Sequence, residues 1–97
     1  MKYFVEIEDG TIRVEVRETG LSDILEFDAF TLPFELEEFS IIVELYSAEP
    51  DSYFTDFLGI ALSRGCPVRL IVKTKAAVPR AAAWKMILPA LVVESGL

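Results

Sequence analysis

The chain has no histidine and one cysteine, and it sets nine basic residues against sixteen acids. It also lacks asparagine and glutamine. Without histidine, Ser-His-Asp and Cys-His nucleophilic arrangements are ruled out, and the common transition-metal sites lose their usual ligand. A lone thiol, Cys66, can neither close an internal disulfide nor hold zinc, and reads as a small residue at a turn into a strand. The five glycines form neither G-x-G-x-x-G nor G-x-x-x-x-G-K-[ST], so no phosphate-cradling loop is present. Apolar runs are short and broken by charge or proline, which argues against a transmembrane span. The opening M-K-Y-F-V-E-I-E carries acid inside its apolar run and does not read as a signal peptide. These exclusions lead to an expected cytoplasmic, non-enzymatic protein with no cofactor and no metal. The missing amides hint at life at high temperature, where they are labile, although lysine is not enriched.

What is present is apolar and unevenly charged. Apolar residues make up 53% of the 97, with seven phenylalanines, which excludes disorder and suits one domain with one core. Residues 1–57 hold fifteen acids and three bases, a balance of −12; residues 58–97 hold one acid and six bases, a balance of +5. Two readings follow. The halves neutralise each other, across the sheet or by head-to-tail association, or the acidic half is a surface for a basic partner.

Ser40 to Lys75 organises the chain. Ile41–Tyr46 and Val68–Thr74 have the length and β-branched composition of strands. Between them Phe54, Phe57, Leu58, Ala61 and Leu62 recur at helical spacing, the stripe a helix presents to a core. Pro50, Asp51 and Ser52 are start signals, and Arg64-Gly65 is a stop. This is a βαβ unit whose strands should be parallel. Gly59 inside the helix costs about 1 kcal/mol against alanine, which predicts close approach of a neighbouring backbone.

Upstream, Lys2–Glu8 and Thr11–Glu18 alternate around Asp9-Gly10, a pair suited to a type I′ hairpin turn. A two-residue loop makes opposed residue numbers sum to nineteen. Tyr3, Val5, Ile7, Ile12, Val14 and Val16 then share one face, and Glu6 meets Arg13 on the other. Alternation from Ile24 to Phe30 favours a further strand, and Pro33–Phe39 a short helical turn. Downstream, Pro79 opens a helix with Trp84, Ile87, Leu88 and Leu91 on one side, ended by Pro89. The expected fold is α+β, a single two-layer domain with a mixed sheet. Its elements are a hairpin (2–8, 11–18), strands about 24–30, 40–46 and 67–75, and helices about 51–64 and 79–88. Residues 90–94 form a short last strand or extend the helix.

Charged clusters are weighed against solvated surfaces. Glu26 with Asp28, and Glu35, Glu37 and Glu38, lack the convergence from separate elements that hydrolysis or cation binding needs. The Glu35–Glu38 group, interleaved with Phe34 and Leu36, fits a protein contact better. Arg69, Lys73 and Lys75 share a strand face, but Glu44 sits among them and the net charge of −7 disfavours nucleic acid. Trp84, Tyr46, Tyr53 and Phe57 read as core aromatics rather than a ligand pocket. The expected function is therefore protein interaction with a partner or a second copy, with no direct nucleic-acid or membrane contact. Ile42, Glu44, Tyr46, Arg69, Ile71, Lys73, Lys75, Glu35, Glu37 and Glu38 are the candidate contacts. The alternatives are an acidic inhibitor of a basic nucleic-acid-binding surface, and a small-molecule sensor with a pocket at the carboxyl ends of the βαβ strands. In the sensor, Asp51, Ser52 and Asp56 would act.

Overall fold

A computed structural model describes residues 2–17, 39–47 and 52–97, with side chains at 5–17, 39–47 and 54–97. The hairpin forms as the residues require. Asp9 and Gly10 both take positive φ, 48° and 77°, which a type I′ turn demands. They join β1 (Lys2–Glu8) to β2 (Thr11–Arg17) in the register whose numbers sum to nineteen, Lys2 opposite Arg17 through Glu8 opposite Thr11. The strand expected at 24–30 lies outside the described residues, as does the expected turn at 33–39 apart from Phe39.

Ser40–Leu45 forms β3, Ser52–Ser63 helix α1, and Val68–Val72 β4, with β3 and β4 parallel. Helix α1 ends in a Schellman motif. The Gly65 amide donates to the Leu62 carbonyl and the Cys66 amide to the Ala61 carbonyl, with Gly65 at φ 80°. Strand β4 is shorter than the expected 67–75. The Lys73 amide still bonds to the Leu45 carbonyl, but then the Thr74 hydroxyl donates to the Tyr46 carbonyl. That side-chain bond takes the place of the ladder, and the chain turns into a 3-10 helix at Lys75–Ala77. Lys75 is therefore not on the strand face assigned to it. Helix α2 (Val78–Ile87) follows with Pro79 in its first turn, and β5 (Val92–Ser95) closes the sheet parallel to β4.

The fold is α+β, with one five-stranded mixed sheet in the order β1-β2-β3-β4-β5 and only the β1–β2 pair antiparallel. Parallel joins between strands in sequence order bring their crossovers to one face when each is right-handed. Packing agrees with this. Ile12, Val14, Val16, Ile41, Val43, Leu45, Val68, Leu70 and Val72 point to one side and share a core with both helices. Phe54 and Trp84, 5.7 Å apart and tilted, link α1 to α2, and the Trp84 indole N–H donates to Thr55 Oγ1 at 3.2 Å. The buried stripe of α2 is Ala77, Ala81, Trp84 and the half-buried Leu88. Ile87, expected in it, is 64% exposed because Ala77 and Ala81 set the stripe one position away. Cys66 is buried and donates to the Phe39 carbonyl, a packing role.

Gly59 departs from expectation. Among the described residues, a Cβ built there meets only a Leu88 methyl at 3.9 Å, an ordinary contact, and no neighbouring backbone. Gly59→Ala should therefore raise stability by about 0.5–1 kcal/mol, because it restores helix propensity at no steric cost. Gly65→Ala should lower stability by a similar amount, about 1 kcal/mol, because its φ is left-handed. Urea denaturation of the two variants checks the opposite signs.

Candidate functional site

Alternation sends the other half of each strand to the face without described helices. The register lines up Glu6, Arg13, Ile42, Arg69 and Val92 across the five strands, and beside that row Glu15, Glu44, Ile71 and Glu94. The structure thus brings Ile42, Glu44, Tyr46, Arg69, Ile71 and Lys73 together on one surface. Lys75 stands apart on the 3-10 turn, and Glu35, Glu37 and Glu38 lie outside the described residues. Asp56 is exposed on α1, and the side chains of Asp51, Ser52 and Tyr53 are likewise outside the described set.

The charges on this face answer one another. Arg13 pairs with Glu6 at 3.0 Å, with Glu15 at 3.2 Å, and with Glu44. Arg17 holds the other Glu15 oxygen at 3.2 Å and lies over the Tyr46 ring, 4.0 Å from its centroid. Lys73 lies 3.6 Å from Glu44, and Arg69 grips Glu94 at 2.7 Å. Four cations and four carboxylates are thereby engaged in two groups: a network of Glu6, Arg13, Glu15, Arg17, Glu44 and Lys73 that runs from β1 to the end of β4, and the separate Arg69–Glu94 pair between β4 and β5.

Glu44 is the buried centre of the network, at 8% exposure. It lies directly opposite Glu15 on the neighbouring strand, a like-charge pairing that costs stability unless bridged. Arg13 supplies the bridge. Its pKa is raised above the usual arginine value chiefly by the adjoining Glu44 carboxylate, with Glu6 adding less. Glu44 Oε1 nonetheless has no partner at hydrogen-bonding angle, so the pair is close but poorly aligned, an ionic contact rather than a fork of parallel bonds. A raised arginine pKa stabilises the fold at every pH below the usual arginine range. The contribution fades only as pH climbs through the higher folded value. Among the described residues, no group of three or more His, Cys, Asp or Glu is placed to hold a metal ion.

A second feature was not singled out by sequence. Between α2 and β5 lies a groove of about 400 Å³ lined by Val78, Ala82, Lys85, Val93, Ser95 and Leu97, among others. Its polar groups are already engaged. The Lys85 ammonium donates to the Pro89 and Leu91 carbonyls, and Glu94 is held by Arg69. The remaining lining is aliphatic, and Val78, Val93 and Leu97 are exposed in it. The groove runs beside an outer strand. Because the Gly96 amide bonds to the Val72 carbonyl, alternation turns Val92 and Glu94 backbone groups toward β4 and those of Val93 and Ser95 outward. The spacing of Val78, Ala82 and Lys85 on one side of α2 was the available signal, but two of these are weakly hydrophobic or charged and did not stand out.

Comparison of the chain with family models, with curated proteins and with solved structures finds no match. Among the described residues, no helix is long and apolar enough to cross a membrane.

The lattice predicts an asymmetry between partners. Arg13→Met leaves the buried Glu44 carboxylate with Lys73 as its one remaining cation among the described residues and should lower the urea midpoint clearly. Glu44→Leu removes the buried charge itself and should change stability by less than about 1 kcal/mol in either direction. Denaturation of the two single variants and the double variant measures this. A double variant no less stable than Arg13→Met alone is expected.

Proposed function

We propose that this protein is a non-enzymatic interaction module that binds an extended segment of a protein partner along β5. The observation that supports the reading is an outer strand with outward backbone groups beside an aliphatic groove. A segment added to β5 would complete the ladder at Val93 and Ser95 and lay alternate side chains into the groove, the mode known as β-augmentation. The charged face is the weaker candidate. Its ions are matched to one another, and a partner would have to break those pairs before making its own. Ile42, Tyr46 and Ile71 are half-buried within that lattice rather than projecting from it. The absence of histidine and the single, buried Cys66 support a binding rather than a catalytic role.

Selection of random displayed peptides on the sparsely immobilised protein tests the reading. Binders should converge on short segments with alternating apolar residues, be lost in Val93→Lys and persist in Ile71→Lys. Failure to select any binder would contradict it, as would binders that ignore Val93→Lys and fail with Ile71→Lys.

A further inference from the structure

Resting on that reading of β5, we infer that the segment it takes is β1 of a second copy of this chain, joined head to tail. Three observations converge. The first is that both outer strands present matching groups. Val16 turns its carbonyl to β3, where the Tyr46 amide bonds it, so alternation and the hairpin register send Lys2, Phe4, Glu6 and Glu8 toward β2. Val5 and Ile7 therefore turn their backbone groups outward from β1, as Val93 and Ser95 do from β5. Among the described residues, neither strand has a neighbour on its outer side.

The second is the side chains these positions carry. Val5 and Ile7 face the same layer as Ile12 and Val14, and Val93 the same layer as Leu70. Val5 is half-buried and Ile7 is 38% exposed. A joined sheet would seat them next to Val93, over the groove formed with Val78, Ala82 and Leu97. Apolar surface exposed on each copy would cover that of the other.

The third is charge. Sheet order equals chain order, so the charge asymmetry of the sequence becomes an asymmetry across the sheet. Exposed Glu6, Glu8 and Asp9 lie at the β1 end. At the β5 end Lys85 lines the groove, Lys75 and Arg80 stand on the elements leading into it, and the one acid of residues 58–97, Glu94, is tied to Arg69. Joining β1 to β1 would set acid against acid, and joining β5 to β5 base against base. Head to tail brings opposite signs together. Such a contact is heterologous, so it builds rings or open chains rather than a closed pair.

Sedimentation at rising protein concentration tests the inference, with one variant blocking each edge. Val93→Pro and Ile7→Pro each delete an outward N–H and leave the internal ladder intact. Val93→Lys and Ile7→Lys place a charge in the seam and serve if a proline variant fails to fold, as judged by circular dichroism. The wild type should grow in mass with concentration and shrink in high salt. Each blocked variant alone should stay monomeric, and a mixture of the two should give a species of about twice the monomer mass and no larger. A wild type that stays monomeric overturns the inference, and so does either single variant that still self-associates. If the wild type is monomeric while selected peptides bind at Val93, self-association fails and the interaction reading stands. If neither occurs, both fail.

Discussion

Three parallel joins, in a sheet whose strands run in chain order, leave the described helices on one side. Every other feature depends on that constraint. Helices α1 and α2 cover a continuous aliphatic layer from Ile12 to Val72, so that face is closed by burial. The opposite face receives no described helix, and among the described residues its charges answer one another. The outer strands, β1 and β5, come from the two ends of the chain and carry its two different charge balances. A sheet with a rearranged strand order would have mixed those charges.

The charged face shows how a sheet surface can be closed by ions instead of helices. Glu44 would be a costly group to bury alone, and Glu15 opposite it adds a second negative charge. Arg13, reaching three carboxylates, makes the arrangement tolerable and fixes its register. Slipping β2 by one residue would drive Arg13 into the aliphatic layer and expose Val14. The pair specifies alignment, and the stability it returns is largely offset by the cost of burying Glu44. A surface so occupied offers little to a partner, and this shifts attention to the outer strands.

Much of this was legible in the residues. Asp9-Gly10 with flanking alternation determines turn type, register and face together, since each would fail without the others. The stripe from Phe54 to Ala61 and the Arg64-Gly65 stop likewise place α1 and its C-cap. The errors have local causes. Thr74 ends β4 early through a hydroxyl bond to a carbonyl in another strand, which no short-range pattern contains, and Lys75 leaves the face with it. Ile87 looked like core because it is large, whereas the small Ala77 and Ala81 set the buried stripe. Gly59 suggested a close backbone, but among the described residues a side chain there would meet only a methyl group. The groove beside β5 was hidden because it needs α2 and the last strand side by side, and neither segment announces the other. The cationic face was visible in sequence, but its mutual pairing depended on the order of the strands.

The central claim is that, among the described residues, this sheet is closed on both faces and open at both outer strands. Residue-resolved amide hydrogen exchange at low and high protein concentration tests it most directly. In dilute solution the amides of Val5, Ile7, Val93 and Ser95 should exchange fast while the inner strands β2 to β4 stay protected. At high concentration those four should slow together, with the charged face unchanged. Protection of those amides in dilute solution would contradict the account, as would slowing confined to Ile42, Glu44 and Ile71.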